Sequence, residues 1–331
     1  MAMTQYNSIA AKSSSFGFTS LFRWFVSDQH RMKTIDFTLL TDSRYRVPQP
    51  QSEYVSNIIE EDRLLTDALI SLGYSVYRTH WDDPEMDWST TRFAVFRTTW
   101  DYFERFSEFE QWMESAHKMT EFVNPIGTIR WNLDKHYLAD LSQNGIAIPP
   151  TIFIETGDKR SLKEIAVQTG WKECIVKPAV SGAARHTYRF KPDQTEHLES
   201  VFSELIREES MLLQPYLDSI TKKGEVSLVL FGGTYSHAVL KKAKPGDFRV
   251  QDDFGGTLHP FEPSLEMILL AEKAVLCAEP IPVYARVDLV WDQNDTVCIS
   301  ELELVEPELW MRRLPESAMD FARHLAKLAG S

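Results

Sequence analysis

The sequence predicts a mixed α/β (α+β) protein: an N-terminal α/β half-domain around a parallel sheet, followed by two α+β modules. Three observations carry this expectation. Strand-like and helix-like patterns alternate from Lys33 onward; Pro149-Pro150 punctuate the chain just after a helical stretch that stops at Gly145; and Gly232-Gly233 separate two strand-like runs.

Taken in order, TIDFTLL reads as a strand. In NIIEEDRLLTDALISLG, residues Ile58, Leu65, Ala68, Leu69 and Leu72 recur at helical spacing before Gly73 supplies a stop. YSVYRTHW and RFAVFRTTW read as strands, Ser107 is placed as the cap of an amphipathic helix SEFEQWMESAHKM, and EFVNP is the next short apolar run. This alternation predicts a ligand crevice at the C-terminal strand ends. RWNLDKHYLADLSQNG is read as one helix ending at Gly145. Beyond it come strand TIFIE, a helix capped by Ser161, strand ECIVKP, loop AVSGAARH, strand TYRF, a helix from Glu196 to Arg207, and strand MLLQPY. EVSLVLF and TYSHAVLKK form a hairpin on Gly232-Gly233, a dipeptide suited to a type I′ turn. A helix from Ser264 to Cys277 then leads into two strands, VYARVDLVW and VCISELELV, joined by Asp292 to Asp295.

These signals divide the chain into a mobile tail (1–32), an α/β domain (33–123), an α+β module with its linking helix (124–220) and a C-terminal module (221–331). The tail is rich in Ser and aromatics with one acidic residue, Asp28, which leaves a transit peptide and an over-extended start ahead of Met32 as alternatives. Its LFRWFV run is short and broken by Arg23, so a secretory signal is not expected.

A formal net charge of −13 argues against broad attachment to nucleic acid or anionic lipid and leaves a small molecule as the expected partner. No apolar run approaches membrane-spanning length. Cys174, Cys277 and Cys298 are far apart in apolar segments, which fits buried thiols in a cytoplasmic, reducing compartment. The hydrophobic helix surfaces are compatible with either a core or a homodimer contact.

The chemistry concentrates near the C-terminus, where ISELELVEP sets Glu301, Glu303 and Glu306 among apolar residues. On a strand, Glu301 and Glu303 share one face while Leu302 and Leu304 take the other. Arg286 and Asp288 likewise share a face of ARVDLVW. Pairing the two strands would gather three carboxylates and a guanidinium, an oxygen-ligand set suited to Mg²⁺; a surface charge ladder is the alternative. Lys177 ends a strand beside the loop SGAAR, where Lys and close backbone N–H groups can receive phosphate, or where the chain simply turns. Lys241, Lys242, Lys244 and Arg249 form a basic stretch that is either solvated or an oxyanion clamp. FRTTWDYF places Arg97, Thr98, Trp100 and Asp101 after a strand, a position suited to substrate, although Trp100 and Tyr102 also fit a core.

Together, in this order, Lys135 in NLDKHYLADL, IVKP with SGAAR, LLQPYL, GEVSLVLFGGTYSHAVLKK, DFRVQDDFGG, ARVDLVW and SELEL resemble the ATP-grasp superfamily. The resemblance runs from about residue 124 to 310 and is nearest to glutathione synthetase-like and cycloserine synthetase-like proteins. It implies a Rossmann-like domain ahead of two α+β subdomains that clamp ATP. By the same resemblance, Lys135 and Lys177 contact ATP phosphates and the loop with Ser181 and Gly182 closes over them. Gln214, Pro215, Tyr216 and Leu217 match the segment that holds adenine, with Glu225 also near the nucleotide. Asp288, Glu301 and Glu303 match the Mg²⁺ ligands, with Mn²⁺ an alternative ion; Arg286, Arg249 and Lys241 match the catalytic cations; Gly255 and Gly256 fall near substrate. Many relatives carry Glu-x-Asn where this chain has Glu-Leu-Glu, and a more glycine-rich phosphate loop. The implied activity is an ADP-forming carboxylate–amine ligase acting through an acyl phosphate on small carboxylate and amine substrates. A small-molecule kinase and a non-catalytic ATP-binding regulator are the alternatives.

Overall fold

The computed structural model describes residues 33–47, 52–250 and 255–330, so the expected tail and part of DFRVQDDFGG lie outside the described residues. Its first section runs β1 (Ile35–Thr41), α1 (Glu53–Ser71), β2 (Val76–His80), β3 (Thr91–Thr98), α2 (Phe106–Ala116) and β4 (Glu121–Val123). The strands form one parallel sheet in the order β2-β1-β3-β4. Leu65, Ala68 and Leu69 of α1 pack on Phe37, Leu39, Phe93 and Val95. On the opposite face, Phe109 and Met113 of α2 pack on Leu40, Ala94 and Phe96. The neighbours β1 and β3 are therefore where the connections change side, and Arg44, Tyr45, Trp100 and Tyr102, which follow them in the chain, line a cleft. Ser107 does not cap α2: the N-cap is Arg105 and Ser107 lies inside the first turn.

The expected single helix before Gly145 is two, α3 (Ile126–Leu133) and α4 (Tyr137–Gln143). The break falls at Asp134–His136, where the Lys135 N–H leaves the helical ladder and donates to the Ala179 carbonyl (2.9 Å). The helical spacing continues through the break, so the apolar pattern alone did not mark it.

The second sheet has the order β5-β8-β6-β7 and is antiparallel, built from β5 (Ile152–Ile154), β6 (Cys174–Pro178), β7 (Tyr188–Phe190) and β8 (Met211–Pro215). Its helices are α5 (Leu162–Thr169), whose Ser161 and Glu164 form a capping box, and α6 (Glu199–Glu208). The short α7 (Ser219–Lys222) follows.

The third sheet, β11-β10-β9-β12-β13, is antiparallel. It contains β9 (Glu225–Phe231), β10 (Thr234–Lys242), β11 (Thr257–Pro260), β12 (Tyr284–Trp291) and β13 (Val297–Glu303), with α8 (Leu265–Val275) on one face. Gly232 and Gly233 both have positive φ, 56° and 80°, as the β9–β10 turn requires. Residues 316–329, to which the sequence reading assigned no element, form α9 (Glu316–Ala329). Phe321, Ala322 and Leu325 of α9 pack between Leu65 and Leu69 of α1 and Phe231 and Tyr284 of the third sheet, tying the first and last sections into one core. No helix among the described residues is long and apolar enough to cross a membrane.

Candidate active site

The β12–β13 ladder sets Arg286 opposite Glu303 and Asp288 opposite Glu301. Alternation buries Val287, Leu289 and Leu302 in the core beneath α8 and turns the four charged residues to the other face. One oxygen from each of Asp288, Glu301 and Glu303 lies within 4.8 Å of the others. Asp288 is 2% exposed, which is not a solvated charge ladder. Such an all-carboxylate set fits a hard cation, and these three residues could hold one.

Cations surround this group. Asp288 accepts from the Ser227 hydroxyl (2.5 Å), from Arg286 (3.0 and 2.9 Å) and from Lys241 (3.1 Å). Burial pushes its carboxyl up, but Arg286 and Lys241 outweigh burial and hold it well below the usual carboxylate range. Arg286 also pairs with Glu303, and Lys241 with Glu225 at 2.5 Å. At Glu303 burial wins over Arg286, and the carboxyl is pushed up to about 8. At Glu301 burial is overcome by Lys135 and Lys177, and the carboxyl is held down.

Those two lysines come from the other side of a cleft of about 370 Å³. The break between α3 and α4 swings the Lys135 ammonium to the Ser181 carbonyl (2.6 Å) and Glu301 (3.0 Å). Lys177 lines the cleft from β6; burial lowers its pKa and Glu301 opposes that shift. In the adjoining loop Ala183 and Ala184 adopt φ of 47° and 55°, conformations usually left to glycine, so the loop takes a shape that its single glycine did not announce. Gly182 is required for another reason: a Cβ there would come within 2.6 Å of the Phe103 ring. Gln214, Pro215, Tyr216 and Leu217 also line the cleft; Gln214 donates to the Thr151 hydroxyl (2.9 Å), and the Arg189 guanidinium sits 3.6 Å from the Tyr216 ring centre.

Several expectations are corrected. Arg249 is on the cleft wall and pairs with Asp247 (2.8 Å) within one tight turn. Of the FRTTWDYF group, Trp100 lines the cleft, whereas Arg97, Thr98 and Asp101 do not. They face inward: Arg97 is 1% exposed and reaches the Pro307 carbonyl (3.4 Å), Thr98 bonds Thr41 (2.6 Å), and Asp101 accepts from the Trp81 indole (2.8 Å). Gly255 and Gly256 are off the cleft wall as well.

Other residues were missed. Ser227 lies directly opposite Asp288, and its signal was the lone hydroxyl in the apolar run EVSLVLF. Asn132 clamps β13 by donating to the Leu302 carbonyl (2.8 Å) and accepting from the Leu304 N–H (2.7 Å), a role set by a distant strand and invisible locally. Trp310 has φ of 48° and presents its ring to the Arg286 guanidinium at 5.2 Å.

Comparison with known proteins shows the family to which the chain belongs. Residues 37–124 match the family model for the N-terminal domain of the D-cycloserine synthetase DcsG. The chain is 30% identical over 283 residues to the cycloserine biosynthesis protein DcsG of Streptomyces lavendulae, covering 80% of this chain and 92% of that protein. The crystal structure of D-cycloserine synthetase DcsG superposes with a TM-score of 0.77 at 29% identity, over 88% of this chain and 98% of that one. The D-alanine–D-alanine ligase of Bacillus anthracis shares the fold alone, with a TM-score of 0.59 at 16% identity over 88% of this chain and 96% of its own. With a relative this similar over nearly its whole length, the chain belongs to the DcsG family of ATP-grasp ligases, enzymes that form a carbon–nitrogen bond.

Proposed function

We propose that the chain activates the carboxylate of a small amino-acid-like substrate with ATP and joins it to an amine through an acyl phosphate, releasing ADP and phosphate. Ring closure within one substrate molecule, as the name of the D-cycloserine synthetase relative suggests, is the favoured form. The observation that carries this reading is the convergence of Asp288, Glu301 and Glu303 with Lys135 and Lys177 in one cleft.

The donor set fits Mg²⁺ because its oxygens are hard and converge, and the ion would supply neutralisation of phosphate charge. The remaining work falls to the chain. Lys135, Lys177 and the backbone of Ser181 and Gly182 bind the polyphosphate, while Gln214 to Leu217 receive adenine and Glu225 lies beside the nucleotide. Arg286 and Lys241 sit where charge builds on the transferred phosphoryl group, and Arg249 binds oxyanion from the loop side. In this reading the 124–220 and 221–331 modules close on the nucleotide. The 33–123 domain offers Trp100 to the substrate. Three free cysteines, two of them buried, are in keeping with a cytoplasmic protein.

The test is incubation with Mg²⁺-ATP and pooled amino acids and small carboxylates, followed by phosphorus NMR. Substrate-dependent ADP with free phosphate is expected. A new stable phosphoester would make the protein a kinase, AMP with pyrophosphate would overturn the acyl phosphate, and nucleotide binding without turnover would point to a regulator.

A further inference from the structure

Glu306 lies three residues beyond Glu303, on the cleft wall, in a segment held in place from several sides. The Tyr284 hydroxyl is 2.6 Å from the Val305 carbonyl, the Trp100 indole donates to the Glu306 carbonyl (3.0 Å), and Arg97 donates to the Pro307 carbonyl (3.4 Å).

The half-buried carboxylates around it have cations: Glu301 has Lys135, Glu303 has Arg286, Glu225 has Lys241, and Glu308 has Arg312. Glu306 makes no ion pair among the described residues; its side-chain partner is the Tyr102 phenol. An enclosed carboxylate without a cation is costly to keep ionised, and a ligand cation relieves that cost.

We propose that Glu306 receives the amine of the substrate: its carboxylate binds the ammonium group and takes a proton from it, which frees the nitrogen to form the carbon–nitrogen bond. This inference rests on the ligase reading above. A Glu306 carboxylate oxygen takes one proton from the ammonium, the freed nitrogen lone pair attacks the acyl carbon, and the acyl carbon–oxygen bond breaks to release inorganic phosphate, which carries away the second nitrogen proton. Glu306 then returns its proton to solvent.

The groups that act on its carboxyl are Tyr102 after β3, Lys135 between α3 and α4, Arg286 on β12, and Glu301 and Glu303 on β13. Burial is the largest influence and pushes the Glu306 carboxyl up to about 7, against the hydrogen bond from Tyr102 and the pull of Lys135. That value suits a base working near neutrality.

The test compares Glu306→Gln with wild type, using the carboxylate that drives ADP release in the pooled assay. Two products are followed: the hydroxamate formed when hydroxylamine traps the acyl phosphate, and the native ligation product. Hydroxylamine is largely unprotonated at neutral pH and needs no base. Glu306→Gln should lower the ratio of ligation product to hydroxamate by about 100-fold or more relative to wild type and lose the ascending acidic limb of the pH–rate profile for ligation. Ligation at the wild-type rate, or equal loss of both products, overturns the inference. Tyr102→Phe provides a second reading should Glu306→Gln not fold: removing the donated hydrogen bond should move the acidic limb of ligation to higher pH, and an unmoved limb overturns the inference. Wild type that forms neither hydroxamate nor ADP with any carboxylate overturns the ligase reading itself, and this inference with it.

Discussion

Lys135 and Glu301 stand 3.0 Å apart across the cleft, one carried by the break between α3 and α4 and the other by β13. This pair joins the expected phosphate side of the site to its carboxylate side. Glu301→Ala removes a ligand from the triad and leaves Lys135 and Lys177 without their shared anion. Mg²⁺-dependent ADP formation should fall by about 100-fold or more, the scale expected when an electrostatic contact at the reacting phosphate is lost. Unchanged turnover would remove Glu301 from the metal site.

Mg²⁺ and ATP together should stabilise the folded chain, since both halves of the site are assembled only in the native state. At 100 times the dissociation constant the gain is about 2.7 kcal/mol, visible as a higher melting temperature that EDTA reverses. The same melting temperature with and without Mg²⁺-ATP would count against nucleotide binding.

Gly182→Ala drives a methyl group into the Phe103 ring and should displace the loop over the nucleotide site. We expect weaker ATP binding with little change in far-UV circular dichroism. Adding Phe103→Leu should recover much of the affinity, because the flatter clash partner is then gone; failure of this rescue would place the requirement in the backbone instead.

Phe321 is fully buried and stacks on Phe231 at 5.0 Å between ring centres. Phe321→Ala should cost about 3–5 kcal/mol by leaving a cavity where α9 meets the third sheet. Urea unfolding reads the loss directly, and a change under about 1 kcal/mol would mean that α9 contributes little to the core.

His237 is buried, with Nε2 2.7 Å from the Leu309 carbonyl and Nδ1 3.0 Å from the Ser236 hydroxyl. Nε2–H donates and Nδ1 accepts in the neutral ring, and burial lowers the pKa below its ordinary value despite the Leu309 bond. Below about pH 6.5 the unfolded chain binds a proton that the native state does not, so stability falls as pH falls through that range. His237→Gln should flatten the decline in urea stability between about pH 6.5 and 5 by up to one proton, about 1.4 kcal/mol per pH unit at most. Parallel wild-type and variant curves would show His237 charging normally in the fold.

The sequence by itself determined the alternation of strands and helices from Lys33, the Gly232-Gly233 hairpin, the Ser161 cap and the sharing of one strand face by Glu301 and Glu303. These are local consequences of side-chain period and turn chemistry, and they carried the family resemblance. Tertiary structure decided where the helix near Lys135 breaks, because a carbonyl on another segment, at Ala179, accepts the freed N–H. It also turned Arg97 and Asp101 inward, placed Ser227 against Asp288, and left Glu306 without a cation while its neighbours have theirs. Each of those outcomes depends on which distant groups share a low-dielectric space, and neither hydrophobic period nor residue spacing encodes that neighbourhood.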